Sequence, residues 1–280
     1  MTTDSPPVRA AAAPRRRHWP LGLGLLLTPS ATAVAAYALP HAGLSAGSAS
    51  ATAFAGATLF PIIGLSLAAM VEVPLALALG AAAFAGALLL TLVFVQPPAI
   101  ATILLVDTAL TCSSWALGCS LGRRVQHAAH LFPACVVAAS ADLVSLLSPE
   151  GPSHAIAEST RALSVLATWF PVPGSSALAP ALGVGDLLFM ALVFGVARAH
   201  RLPYLRCIVA CVTGTALAGA AAAASGLAVP ALVPIAAVLV LAVPAIRQLR
   251  RSDRNAARWS MLIASSVAVA SVARTLLSRH

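Results

Sequence analysis

Long apolar stretches, each about the length that crosses a lipid bilayer, follow one another along almost the whole chain. A membrane-spanning helix needs about 20 mostly apolar residues. The chain is 60% hydrophobic and only 9% charged, whereas a soluble domain carries about 25% charged residues. The sequence therefore predicts an all-α, polytopic bundle of about nine transmembrane helices. The predicted spans are 21–39, 49–70, 74–95, 99–121, 130–148, 179–197, 204–227, 231–247 and 259–277.

The basic residues are all Arg and give a net charge of +9. They occur in short runs between apolar stretches, which is typical of membrane-face anchors and topology signals rather than of a nucleic-acid-binding surface. Most fall on the face that holds the N-terminus, and the positive-inside rule places that face in the cytoplasm. The connection between the fifth and sixth spans is then expected outside.

Acidic residues are few, and three of them, Asp107, Asp142 and Asp186, lie inside predicted spans. A carboxylate in a membrane is costly and is usually functional or paired. Asp142 precedes the end of its span by seven residues, and Asp186 follows the start of the next span by seven. At a rise of about 1.5 Å per residue, both lie about 10 Å below the same membrane face. Because these spans are consecutive and antiparallel, we expect the two carboxyl groups to meet.

Two carboxyl groups in contact share one proton, because ionising both is unfavourable. Such a pair suits amide hydrolysis, in which one carboxylate activates water and the other, protonated, polarises the carbonyl oxygen. Asp107 has two interpretations. It could approach the pair or line a water path, or it could be a structural hydrogen-bond partner of Thr108 or Thr111.

Two short motifs accompany the predicted carboxyl pair. Gly183-Val184-Gly185-Asp186 places glycines where a neighbouring helix or an extended substrate can approach the backbone closely. Pro230-Ala231-Leu232 begins the eighth predicted span, where proline removes a backbone donor and keeps the preceding chain from forming regular helix. The number of spans between them places this tripeptide at the same membrane face as Asp142 and Asp186.

The order of these motifs resembles the presenilin and signal-peptide-peptidase family of intramembrane aspartyl proteases, of the Gly-x-Gly-Asp type. The resemblance covers about residues 130–248, and the stretches 142–152 and 185–189 are similar to presenilins in particular, which identifies a presenilin-like prokaryotic member. It implies cleavage of substrate transmembrane helices by the catalytic pair Asp142 and Asp186. It also implies an active site shaped by Gly183, Gly185, Pro230, Ala231 and Leu232.

The resemblance and the composition together divide the chain into four segments. Residues 1–20 form a polar Arg-rich tail, 21–129 the N-terminal transmembrane helices, 130–248 the catalytic core, and 249–280 an Arg-rich loop with a weak C-terminal helix. The expected location is a prokaryotic cytoplasmic membrane, with the protein crossing it many times. The orientation predicted from Arg is that of signal peptide peptidases, inverted relative to presenilins.

The chain departs from the family at Ala141, where the family usually has Tyr before the first catalytic Asp. Two alternatives stay open: a catalytically inactive member acting as a membrane scaffold, and a proton-coupled transporter whose buried Asp residues titrate. Because the five cysteines contain no Cys-x-x-Cys pair, we expect no metal and no cofactor. The expected partners are transmembrane substrates and membrane lipid, without nucleic acid. The sequence does not indicate whether accessory subunits are needed.

Overall fold

The structure is a computed structural model that describes residues 19–39, 43, 45–92, 100–148, 151–175, 177–225, 229–249, 251 and 253–277. The predicted Arg-rich tail at 1–20 lies outside these residues except for its last two. The helices of the bundle are α1 (Trp19–Ala38), α2 (Ala46–Ala68), α3 (Leu75–Leu92), α4 (Ile100–Ser114), α5 (Ser120–Arg124), α6 (Leu131–Leu147), α9 (Val184–Ala199), α10 (Tyr204–Ser225), α11 (Leu232–Ala242) and α12 (Arg254–Leu277). A π-helical segment, Trp115–Cys119, joins α4 to α5 into one continuous helix.

Between α6 and α9 the chain forms two short helices and a small hairpin. The helices are α7 (Pro152–Glu158) and α8 (Thr160–Leu166), and the strands are β1 (Ala167–Pro171) and β2 (Leu178–Gly183). The sequence predicted a sixth span from residue 179. Instead the strands pair antiparallel, and β2 contains Pro180, which disfavours the interior of a helix. The fold is mainly a bundle of helices, as predicted. The hairpin is the part of the described structure that differs from the predicted all-α fold.

Seven helices among the described residues are long and apolar enough to cross a membrane. The predicted count of nine is therefore not confirmed. Two of the predicted spans correspond to helices that are shorter than a membrane span. Helix α9 begins only after β2, and α11 ends before a 3-10 turn at Pro244–Arg247. Proline at position 244 ends α11 because it cannot donate to the helix.

The outer surface of the bundle is apolar. On α3, Leu77, Phe84 and Leu90 are each more than 60% exposed, and on α12 Leu262 and Val269 are 60% and 68% exposed. A soluble protein rarely exposes so large a contiguous apolar surface. Together with the seven long apolar helices, this surface indicates that the chain is a multi-pass membrane protein.

Helix α9 is the centre of the bundle and is packed against α2, α4, α5 and α10. From Leu187 to Ala197 nearly every side chain of α9 is buried. Glycines permit the closest approach: Gly118 and Gly122 lie against the backbone of α9, and Gly195 lies against Cys119. Small residues allow such contacts between helices in lipid. The position of α9, and of any group at its start, is therefore set by these crossings.

At one end of the bundle, side chains from other helices donate to carbonyl groups at the end of α2 and in the turn that follows it. Trp115 donates to the Ala68 carbonyl, Arg123 to those of Ala69 and Val71, and Tyr204 to that of Ser66. The final carbonyls of a helix have no partners within the helix itself. This network fixes α2 to the helix that contains Trp115 and Arg123 and to α10.

Candidate active site

Asp142 and Asp186 line one cavity of about 310 Å³. Asp142 lies on α6 and Asp186 in the first turn of α9. Both side chains are half-buried, and the two carboxyl groups interact electrostatically. All but one of the predicted site residues line this cavity: Asp142, Gly183, Gly185, Asp186, Pro230 and Ala231. The structure thus brings together groups that the sequence placed in three separate segments.

The carboxylate of Asp186 accepts a hydrogen bond of 3.1 Å from the backbone N–H of Gly183. Gly183 is the N-cap of α9, with extended backbone angles, and Asp186 is the third residue of the helix. An acidic side chain here bonds back to the cap and is favoured by the helix dipole. This bond orients Asp186 at the end of β2, where the chain turns from strand to helix.

The carboxylate of Asp142 accepts a hydrogen bond of 3.0 Å from the backbone N–H of Leu232, 90 residues away. Leu232 is the predicted site residue that does not line the cavity, and it is the first residue of α11, after Pro230 and Ala231. The first N–H groups of a helix have no partner within the helix. The Pro-Ala-Leu motif therefore contributes a backbone donor to Asp142, a contact that the sequence did not predict.

The far wall of the cavity comes from α7, α8 and β2, through Ser153, Ile156, Leu163, Leu166, Pro180 and Ala181. The chain folds back over α6 at Gly151, where a side chain would collide with the carbonyl of Ser145. The hydroxyl of Ser145 then bonds the hydroxyl and the backbone N–H of Ser153, at 2.7 and 2.8 Å. Sequence reasoning missed this wall, because two serines eight residues apart carry no recognisable signal.

Asp107 does not line the cavity of the two other aspartates. Its carboxylate accepts hydrogen bonds from the Thr32 hydroxyl and from the backbone N–H of Trp169 in β1, each at 3.0 Å. The structural interpretation predicted that Asp107 is a hydrogen-bond partner, but the proposed partners, Thr108 and Thr111, were wrong. Thr111 and Thr108 donate to backbone carbonyls of α4 rather than to the carboxylate, because a threonine in a helix bonds most easily to the preceding turn.

Ala141 is exposed and lines a different cavity, of about 540 Å³, between α6 and α12. Asp142 and Ala141 are adjacent in a helix and so point about 100° apart. The position where the family usually has Tyr therefore faces the groove along α12.

Comparison with protein-family models, with curated proteins and with solved structures gave no match to this chain. The fold and surface define a multi-pass helical membrane protein.

Proposed function

We propose that this chain is an intramembrane aspartyl endopeptidase of the presenilin and signal-peptide-peptidase type, which hydrolyses peptide bonds in the transmembrane helices of membrane proteins. We place it in a prokaryotic cytoplasmic membrane. The observation that supports this most is the single cavity lined by Asp142, Asp186 and the glycines of the Gly-x-Gly-Asp motif. A backbone donor from the Pro-Ala-Leu motif bonded to Asp142 adds independent support.

The proposed reaction uses the two carboxyl groups as one acid–base unit. The ionised member accepts a proton from water as the water oxygen attacks the substrate carbonyl, and the protonated member donates its proton to the carbonyl oxygen. The resulting gem-diol collapses as a proton passes to the amide nitrogen and the C–N bond breaks. The products are a carboxylic acid and an amine. The bonds from Gly183 and Leu232 orient the two carboxyl groups for these transfers.

The cavity suits an extended peptide better than a helix. In a helix each peptide carbonyl is hydrogen-bonded and shielded by side chains, so a water molecule cannot attack it until the segment unwinds. Pro180 and Ala181 of β2 line the cavity, and among the described residues β2 pairs only with β1. The free edge of a strand can pair with an extended peptide, which would compensate for the lost helical hydrogen bonds.

The proposal is tested with purified protein reconstituted into liposomes together with a single-span membrane peptide. Asp142→Asn and Asp186→Asn should each abolish cleavage, because Asn keeps the shape of Asp but cannot share the proton. A transition-state analogue of aspartyl proteases should block the wild-type enzyme. The matched control is Asp253→Asn, at the opposite end of the bundle beside His130, which should cleave at the wild-type rate. Substantial cleavage by either of the first two variants would exclude the pair as the catalytic centre.

The same assay separates the alternatives. An inactive scaffold would bind the membrane peptide without producing fragments, and a transporter would move protons across the liposome membrane in a manner that depends on Asp142 or Asp186. The position of Ala141 on the groove along α12 favours the active enzyme, because the missing Tyr side chain would not form part of the wall around the two carboxyl groups.

A further inference from the structure

Asp107 is a completely buried carboxyl group, and both of its oxygens have partners. One oxygen accepts from the hydroxyl of Thr32 in α1, which is equally buried, and the other from the backbone N–H of Trp169 in β1. Burying a carboxyl group is costly unless hydrogen bonds compensate it. These two bonds supply that compensation and join three elements that are distant in sequence.

The N–H of Trp169 belongs to the outer edge of β1. Trp169 lies opposite Pro180 of β2. Both the N–H and the carbonyl of Trp169 point away from β2, towards Asp107 and Thr32, so this is a non-hydrogen-bonded pair of the antiparallel ladder. A register irregularity between Ala167 and Trp169 interrupts the ladder next to it. The position of β1 therefore depends on its outer edge, where the Asp107 carboxylate takes the place that a third strand would have.

Strand β1 is connected to Asp186 of the catalytic pair through β2. Ala167 lies opposite Gly183 in the register of the hairpin. Gly183 is the last residue of β2, and its N–H donates to the Asp186 carboxylate. A displacement of β1 would thus reach Asp186 through one strand pair and one hydrogen bond.

Apolar contacts attach the same hairpin to the N-terminal helices. The ring of Phe170 stacks on Phe60 of α2, with centroids 6.0 Å apart, and fills the space over Gly56. At the tip of the hairpin, the N–H of Gly174 donates to the carbonyl of Leu39 at 2.8 Å. These contacts hold the hairpin against α1 and α2, and the Asp107 carboxylate satisfies the N–H of Trp169 at the edge of β1.

We propose that Asp107 is a positioning residue for peptide-bond cleavage: it fixes the outer edge of β1 and, through β2 and Gly183, the placement of Asp186. This inference rests on the proposed protease function. It assigns Asp107 no part in proton transfer, because its carboxylate lies outside the cavity of the catalytic pair. Asn at this position can still accept the Trp169 N–H and can donate to Thr32, whereas Ala can do neither.

The test compares Asp107→Ala with Asp107→Asn in the reconstituted full chain. Two quantities are measured: hydrogen exchange of the segment 167–183, with α10 as an internal reference, and kcat and KM for the single-span membrane peptide. We expect the Ala variant to lose protection in 167–183 and to lose about 100-fold in kcat with little change in KM, since a misplacement of about 1 Å costs that much. The Asn variant should stay within about threefold of wild type in both measurements.

A milder pair of variants keeps the test decisive if Asp107→Ala does not fold. Thr32→Val removes one of the two donors and should loosen 167–183 and lower kcat in the same direction. Thr111→Val removes an equally buried hydroxyl that bonds only within α4 and should behave as wild type. Unchanged exchange in both Asp107→Ala and Thr32→Val, or equal loss of kcat in the Ala and Asn variants, overturns the proposal. If Asp142→Asn still cleaves while Asp107→Ala exposes the hairpin, it is the assignment of Asp142 and Asp186 as the catalytic pair that fails, and the anchoring of β1 stands.

Discussion

Gly118→Ala is a small change that we expect to move Asp186 of the proposed catalytic pair without touching it. Gly118 lies in the π-helical segment that crosses α9. A methyl group added there would sit 2.5 Å from the Leu188 carbonyl oxygen, 2.6 Å from the Ala191 Cβ and 2.9 Å from the Leu192 nitrogen. Two of these atoms are backbone and the third is an alanine Cβ, so no side-chain rotation can relieve the collision, and α9 and the π-helical segment must move apart.

The size of the movement follows from these distances. Ordinary contacts begin at 3.4 Å, so the 2.5 Å contact requires a displacement of about 1 Å. Leu188 is two residues after Asp186 in the same helix, and a rigid helix transmits the shift to that carboxyl group. A misplacement of about 1 Å costs about 100-fold in rate, and overpacking of this kind costs about 1–3 kcal/mol of stability.

The assay is cleavage of the reconstituted membrane peptide together with thermal unfolding of the purified protein. Gly86→Ala on α3 is the matched control, because a methyl group there meets no atom within 4 Å and alanine is the better helix former. We expect Gly118→Ala to retain its fold and lose most of its kcat, while Gly86→Ala keeps both activity and stability. Full activity in Gly118→Ala would refute the idea that the crossing with α9 sets the position of Asp186.

Three further predictions concern other parts of the molecule. Ala231→Trp should crowd the cavity and abolish cleavage while weakening inhibitor binding, and wild-type rates would reduce the Pro-Ala-Leu motif to a helix boundary. Arg201→Gly should raise the free energy of unfolding by about 1 kcal/mol, because Arg201 has φ 51° just after α9, at a left-handed position that favours glycine; a lower melting temperature would contradict this. For orientation, Ser159→Cys, in a background without the native cysteines, should react with an impermeant thiol reagent only from outside the cell. Labelling of Cys at this position only from the cytoplasmic side would reverse the orientation predicted from the Arg residues.

Much of the site could be predicted from sequence, because an acidic residue inside a membrane span is costly and therefore usually has a function. Asp142 and Asp186 were identified by their depth in consecutive antiparallel helices, and the structure places both on one cavity. That argument counted a helical rise from residue 179, where the structure has β2. Asp186 therefore lies in the first turn of α9, and its predicted depth is not confirmed. Their catalytic role stays a prediction until cleavage is measured.

The hairpin could not be predicted in the same way. The turn of the hairpin did leave a signal in the sequence, because Pro173 and Gly174 are the usual central residues of a type II turn. In the structure Gly174 has φ 77°, and the Ser175 N–H donates to the Val172 carbonyl. The strands themselves are short and contain proline, so no alternation of apolar and polar residues marks them. They exist because tertiary contacts, above all those of Asp107 and Phe170, satisfy them, and such contacts cannot be read from local sequence.

The two helices that are shorter than a membrane span, α9 and α11, both begin at the proposed catalytic pair. A helix that starts inside an apolar bundle exposes N–H groups that lipid cannot satisfy, and a carboxylate buried there lacks donors. The N–H of Leu232 bonded to Asp142, and that of Gly183 bonded to Asp186, reduce both costs at once. If α11 were extended at its N-terminus, the N–H of Leu232 would bond within the helix and would not be available to Asp142. The places where α9 and α11 begin thus provide a backbone donor for each carboxyl group.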